Sequence, residues 1–71
     1  MKLRYYSETD SLYIELRSAT GVEAREVAPD LIVDFDADGH VVGFDIDHAS
    51  KHLDLSTLET VDLPLGERKT A

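Results

Sequence analysis

The chain has 71 residues and no cysteine, so it is long enough for one small domain, and disulfides and thiolate metal sites are excluded. Its formal net charge of −8 repels phosphate backbones and therefore disfavours nucleic-acid binding. No apolar run approaches the about 20 residues of a membrane-spanning helix, and the N-terminus lacks an apolar signal-peptide core, so we expect a soluble cytoplasmic protein without membrane contact.

The first predicted elements are two strands joined by a short loop. Residues 3–6 form the first strand, and the polar residues 7–11 are typical of a hairpin loop. In residues 12–17, apolar and polar side chains alternate with the period of a strand that is buried on one face.

Three further strands follow. Residues 22–27 form a strand that ends at Pro29, because proline cannot donate to the ladder of hydrogen bonds. Residues 31–36 and 41–46 alternate in the same way around Asp38-Gly39, a strong hairpin signal. We therefore predict a mostly β, α+β fold: an antiparallel meander of four to five strands in sequential order. Its apolar face carries Leu12, Ile14, Leu16, Leu31, Val33, Phe35, Val42, Phe44 and Ile46.

The period changes after residue 46, which predicts one or two short C-terminal helices. Asp47 can cap a helix over residues 49–53, and Ser56 with Glu59 fits a capping box that starts a second helical turn. The single domain is predicted to span residues 1–65, and residues 66–71 are predicted to be a disordered tail.

The predicted apolar face is larger than two short helices can cover. An uncovered face favours a protein partner or a second copy of the chain, and we expect a homodimer. The alternative is a monomer in which the C-terminal apolar residues fold across the sheet. These residues are Leu53, Leu55, Leu58, Val61, Leu63 and Leu65.

An acidic hairpin is the sharpest local pattern. Asp34, Asp36, Asp38 and Asp45 take the positions of acidic ligands in a calcium loop of the EF-hand type. Both flanks of this loop alternate as strands, however, whereas an EF-hand loop lies between helices. A cation-binding domain is therefore an alternative function, and a solvated acidic hairpin is the simpler interpretation.

Two histidines four residues apart form a second candidate metal site. His48 and His52 share one face of the predicted helix, and two imidazoles at this spacing can bind zinc. The sequence identifies no third ligand, so solvated surface histidines are the alternative.

Enzymatic activity finds little support in the sequence. It contains no Gly-x-Ser-x-Gly motif and no glycine-rich phosphate loop, and Ser50 beside the histidines has no evident pocket. We predict no catalytic residue and no cofactor, and a small enzyme is the weakest of the three functional hypotheses.

Basic and aromatic side chains are mixed with glutamates on the predicted outer face of the first three strands. Such mixing can stack nucleic-acid bases, but the interspersed glutamates make cross-strand ion pairing the better account. The basic and aromatic residues are Arg4, Tyr6, Tyr13, Arg17 and Arg25.

The order of these motifs resembles the bacterial family named domain of unknown function 2283. The resemblance covers roughly residues 1–55 and includes 3–5, 10–14, 26–27, 31–36, 39–46 and 49–51. It implies a small β-rich fold with a short helix and carries no catalytic residue or cofactor. Genes of this family often lie near small toxin genes, so the resemblance also implies an antitoxin-like or other partner-binding role.

Overall fold

The computed structural model describes residues 1–64 as one antiparallel sheet, a single-turn helix and an irregular C-terminal segment. This arrangement confirms the mostly β fold class. The elements are β1 (Lys2–Tyr6), β2 (Ser11–Glu15), β3 (Glu23–Ala28), β4 (Leu31–Phe35), β5 (Val41–Ile46) and α1 (Ala49–His52). No helix in this described part is long and apolar enough to cross a membrane.

The strand order differs from a sequential meander at one point. The order is β1-β2-β5-β4-β3, so β2 lies beside β5, and residues 16–22 cross from β2 to the far edge strand β3. All residues of β1 and β3 are exposed, whereas β5 includes two buried residues. The order thus puts the most apolar strand in the centre and charged strands at the edges, where unpaired backbone groups are tolerated.

Cross-strand pairs confirm part of the predicted apolar face, although a register shift after Asp34 pairs Phe35 with Val41 and not with the predicted Val42. Ile14 pairs with Phe44, which pairs with Val33 on its other side. Leu12 pairs with Ile46 in the same way. Since paired residues point to the same side of a sheet, these side chains share one face, and the pairing extends it to Leu3 and Tyr5 of β1.

Arg25 does not lie on the outer face of the sheet, where it was predicted. It pairs with Val33 and therefore lies on the apolar face, where its guanidinium stacks 4.2 Å from the centre of the Phe35 ring. The aliphatic stem and the planar head cover an aromatic ring at the sheet edge, which explains a charged residue on this side. Its ion pair is with Glu23 of the same strand, at 3.0 Å.

The C-terminal region contains one helix, and two predictions about it are wrong. His48, not Asp47, is the residue that precedes α1, with φ of 52° and no capping hydrogen bond from its side chain. No helix starts at Ser56, because its N–H and hydroxyl donate to the carboxylate of Asp54 and close a local turn instead. The predicted domain end at residue 65 and the predicted tail lie outside the described residues.

Candidate functional site

Two aspartates in turns flank the end of β5. Asp10 immediately precedes β2 and Asp30 immediately precedes β4, the two strands that lie on either side of β5. Both aspartates have left-handed backbone conformations, with φ of 53° and 66°, which aspartate tolerates better than most residues. Because β5 is antiparallel to both neighbours, the two turns lie beside the point where the chain leaves the sheet.

Asp10 holds the start of α1. Its backbone oxygen accepts the N–H of Ala49 at 2.8 Å. Its carboxylate accepts the Ser50 hydroxyl at 2.7 Å, the Ser50 N–H at 3.1 Å and the Tyr5 hydroxyl at 2.7 Å. The hydrogen bonds from Tyr5 and Ser50 lower the pKa of Asp10. A side chain 40 residues away in sequence thus supplies the cap that the helix lacks locally.

Asp30 holds the same segment from the other side. Its backbone oxygen accepts the N–H of Asp47 at 2.8 Å. Its Oδ2 lies 3.0 Å from Nε2 of His52 and 3.3 Å from Nδ1 of His48. The hydrogen bond with His52, followed by that with His48, lowers the pKa of Asp30. The helix-anchoring cluster, as we call it, comprises Asp10, Asp30, His48, Ser50 and His52.

The sequence predicted the histidines of this cluster but missed both aspartates. The sequence feature that could have indicated them is an aspartate directly before each of two predicted apolar strands, at Asp10-Ser11 and Asp30-Leu31. The cluster is not a nucleophilic triad, because the hydroxyl of Ser50 donates to Asp10 and not to an imidazole.

The acidic hairpin brings only part of the predicted calcium set together. Asp36, Asp38 and His40 place ligand atoms within 4.8 Å of one another. However, Oδ1 of Asp36 accepts the backbone N–H groups of Asp38 and His40, each at 2.9 Å, and Oδ2 binds Arg17 at 2.9 Å. These bonds, led by the one from the His40 N–H, lower the pKa of Asp36. Calcium binding at this hairpin, which strands flank on both sides, stays a prediction.

The other two acidic candidates, Asp34 and Asp45, lie on the polar face of the sheet. Tyr13 reaches across Gly43, and its hydroxyl donates to Oδ2 of Asp34 at 3.0 Å. Burial and this carboxylate raise the pKa of Tyr13 to about 12. Burial, Asp47 and Asp34 raise the pKa of Asp45. Asp34 is thus part of a tyrosine–carboxylate pair and does not join the hairpin cluster.

An apolar groove opens on the opposite face, beside α1. Its floor is formed by the apolar side chains of β1 and β2, and its wall by the segment that follows the helix. The groove encloses about 530 Å³. This apolar groove is lined by Leu3, Tyr5, Leu12, Ile14, Leu53, Asp54, Leu55, Thr57 and Leu58.

Comparison with known proteins gives a family but no function. No curated protein and no solved structure matches the chain. One family model, described as a protein of unknown function (DUF2283), matches residues 2–50, which cover all five strands and the start of α1. His52 and the wall of the apolar groove lie beyond the matched stretch. Since the match covers more than half of the 71 residues, the chain belongs to the DUF2283 family.

Proposed function

We propose that the protein is a non-catalytic interaction module that forms a homodimer through its apolar groove. The observation that supports this proposal is the large amount of apolar surface left open on a very small core. Among the described residues, the buried apolar side chains are Leu12, Val33, Val42 and Ala49. The proposal includes a cytoplasmic location, which rests on the sequence alone.

The size of the open surface suits an interface. Leu3 and Tyr5 are 47% and 46% exposed, and Leu58 is 76% exposed. Together with Leu53 and Leu55, which are 37% and 41% exposed, they form an apolar patch, and large patches of this kind on single chains are often functional. Val61 and Leu63, which are also exposed, follow in the same C-terminal segment.

The distribution of charge permits self-association in spite of the net charge of −8. Among residues 1–64, Asp54 is the one charged residue that lines the groove. Carboxylates such as Asp34 and Asp45 lie on the polar face, and Asp36 lies in the hairpin. Two chains that meet groove to groove therefore bring few like charges together at short range.

A small toxin-like protein is the alternative partner that could bind in the apolar groove, because the family resemblance implies a partner of this kind. The groove offers such a partner the same apolar surface. The mass of the purified chain in solution separates the two, since only a self-associating chain dimerises alone.

We expect the purified chain to have about twice its 7.9 kDa mass in multi-angle light scattering. Leu58→Ser and Leu3→Ser should each weaken the dimer by about tenfold or more, because each removes roughly 1.5–3 kcal/mol of apolar burial. The matched control is Val22→Ser, since Val22 is 63% exposed but does not line the groove.

A wild-type chain that stays monomeric at submillimolar concentration would contradict the homodimer. An equal weakening by Val22→Ser would show that general hydrophobicity, and not the groove, drives association. Circular dichroism of each variant checks that the sheet is retained.

A further inference from the structure

We propose that Asp30, His48 and His52 form a binding site for a divalent transition-metal ion of the zinc type. Both imidazoles direct a ring nitrogen at the same carboxylate oxygen, Asp30 Oδ2, at 3.3 Å and 3.0 Å. The sequence offers the two histidines, and the fold adds the third ligand from a turn that precedes them by 18 and 22 residues. None of its three ligands lines the groove of the proposed dimer.

Two of the three distances among these ligand atoms suit a metal ion placed between them. Zinc binds imidazole nitrogen and carboxylate oxygen at about 2.0–2.2 Å, so neighbouring ligand atoms in a tetrahedral site lie about 3.3–3.4 Å apart. The two nitrogen–oxygen distances are close to this value. The distance between the two imidazole nitrogens is longer than 4.8 Å. Among the described residues, the set of three ligands that all lie within 4.8 Å of one another is Asp36, Asp38 and His40. The imidazoles are 60% and 44% exposed, so rotation of one ring closes the triangle at little cost in packing.

The backbone holds the ligands in register. The Asp47 N–H donates to the Asp30 carbonyl, and the Ala49 N–H donates to the Asp10 carbonyl, each at 2.8 Å. These two bonds fix the start of α1 against both neighbouring turns. Only side-chain rotation is then required for metal binding, which limits the entropy that the ion must overcome.

The surrounding charges favour a cation here over the acidic hairpin. The Glu26 carboxylate accepts the backbone N–H of Asp30 at 3.1 Å, and the Asp10 carboxylate interacts with His48. Lys51 is the one basic residue in α1 besides His52. At the hairpin, by contrast, the guanidinium of Arg17 already occupies Asp36 and repels a cation.

A two-histidine, one-carboxylate set leaves at least one coordination position open to water. Imidazole ligands select zinc, cobalt or nickel over calcium and magnesium. The bound ion would tie α1 to the β3–β4 turn, and through α1 it would steady the segment that forms the wall of the groove.

Isothermal titration of the full chain with zinc chloride tests the proposal, with cobalt absorption spectra as a second readout. We expect one zinc per chain, a raised melting temperature and cobalt bands of a low-coordinate nitrogen–oxygen site. His52→Gln and Asp30→Asn should each weaken zinc binding by at least tenfold. Asparagine keeps the left-handed turn at position 30 accessible, so this variant is expected to fold.

The matched control is His40→Gln, which removes a histidine from the acidic hairpin and should leave zinc affinity unchanged. Loss of binding in His40→Gln with retention in His52→Gln would move the site to the hairpin and overturn the proposal. Displacement of zinc by millimolar calcium, or no heat and no melting shift at submillimolar zinc, would also overturn it.

Discussion

Gly43→Ala is expected to destabilise the fold by about 2–4 kcal/mol, from overpacking and the loss of one hydrogen bond. A Cβ at this position would collide with the Tyr13 ring, whose Cζ would lie 2.7 Å away, and with the backbone oxygen of Ile14 at 2.9 Å. The ring can swing aside only by giving up Asp34, and the backbone oxygen cannot move without shifting β2. A chain of this length has a total stability of roughly 4–10 kcal/mol, so the loss is a large fraction of it.

Gly21→Ala is the matched control for this prediction, because the same change causes no collision. An added Cβ there lies 3.5 Å from Cβ of Asp34 and 3.7 Å from a methyl group of Val42, which is ordinary contact. Gly21→Ala should therefore be neutral or stabilise by about 0.4–1 kcal/mol, because it reduces the freedom of the unfolded chain. Urea unfolding of both variants measures the difference, and equal midpoints would refute the collision at Gly43.

Alternation in the sequence predicted which side of the sheet many side chains occupy, but the predicted sequential order of the strands differs from the observed order. Alternation in residues 12–16 and 41–46 specifies a face for each side chain, because the side-chain period of a strand is two. It carries no information on adjacency, and residues 16–22 are long enough to reach either neighbour. The pairing of β2 with β5 places the apolar β5 in the centre of the sheet. This preference depends on all five strands together, so no local sequence pattern predicts it.

The helix-anchoring cluster also contains contacts that local sequence patterns predict and contacts that they do not. His48 and His52 were predicted together because the spacing of a helix places them on one face. Asp10 and Asp30 could not be predicted with them, since their proximity depends on β2 and β4 both flanking β5. The cap prediction at Asp47 failed for a related reason: the backbone oxygen and the carboxylate of Asp10 already accept the N–H groups of Ala49 and Ser50.

Arg25 illustrates how a residue type can mislead. Its charge argues for the outer face, yet the register of β3 against β4 pairs it with Val33 and puts it on the apolar side. Stacking on Phe35 makes this placement acceptable. Register, and not polarity, decides the face of a residue at a sheet edge.

Tyr13 is expected to make stability fall as the pH rises from 10 to 12. Its pKa is raised from 10.0 to about 12 in the folded chain, by burial and by the Asp34 carboxylate. An acid whose folded pKa lies above its unfolded value contributes its full stabilisation below pH 10. That contribution is lost as the pH rises through the folded pKa, because the unfolded tyrosine ionises first. The loss should be on the order of 2 kcal/mol.

Urea unfolding at pH 9 and at pH 12 measures this loss, and absorbance of tyrosinate follows the ionisation directly. Tyr13→Phe should be less stable at pH 9 by about 1 kcal/mol, for the lost hydrogen bond, and should show a smaller fall in stability above pH 10. Tyr5 has a pKa that its bond to Asp10 raises, so its contribution has the same sign, and Tyr5→Phe is the control that isolates it. If Tyr13→Phe lost as much stability as the wild-type chain between these pH values, the pairing of Tyr13 with Asp34 would not govern the alkaline limit. In that case the ionisation of Tyr5, whose pKa is also raised, would be the next cause to test, and Tyr5→Phe would measure it.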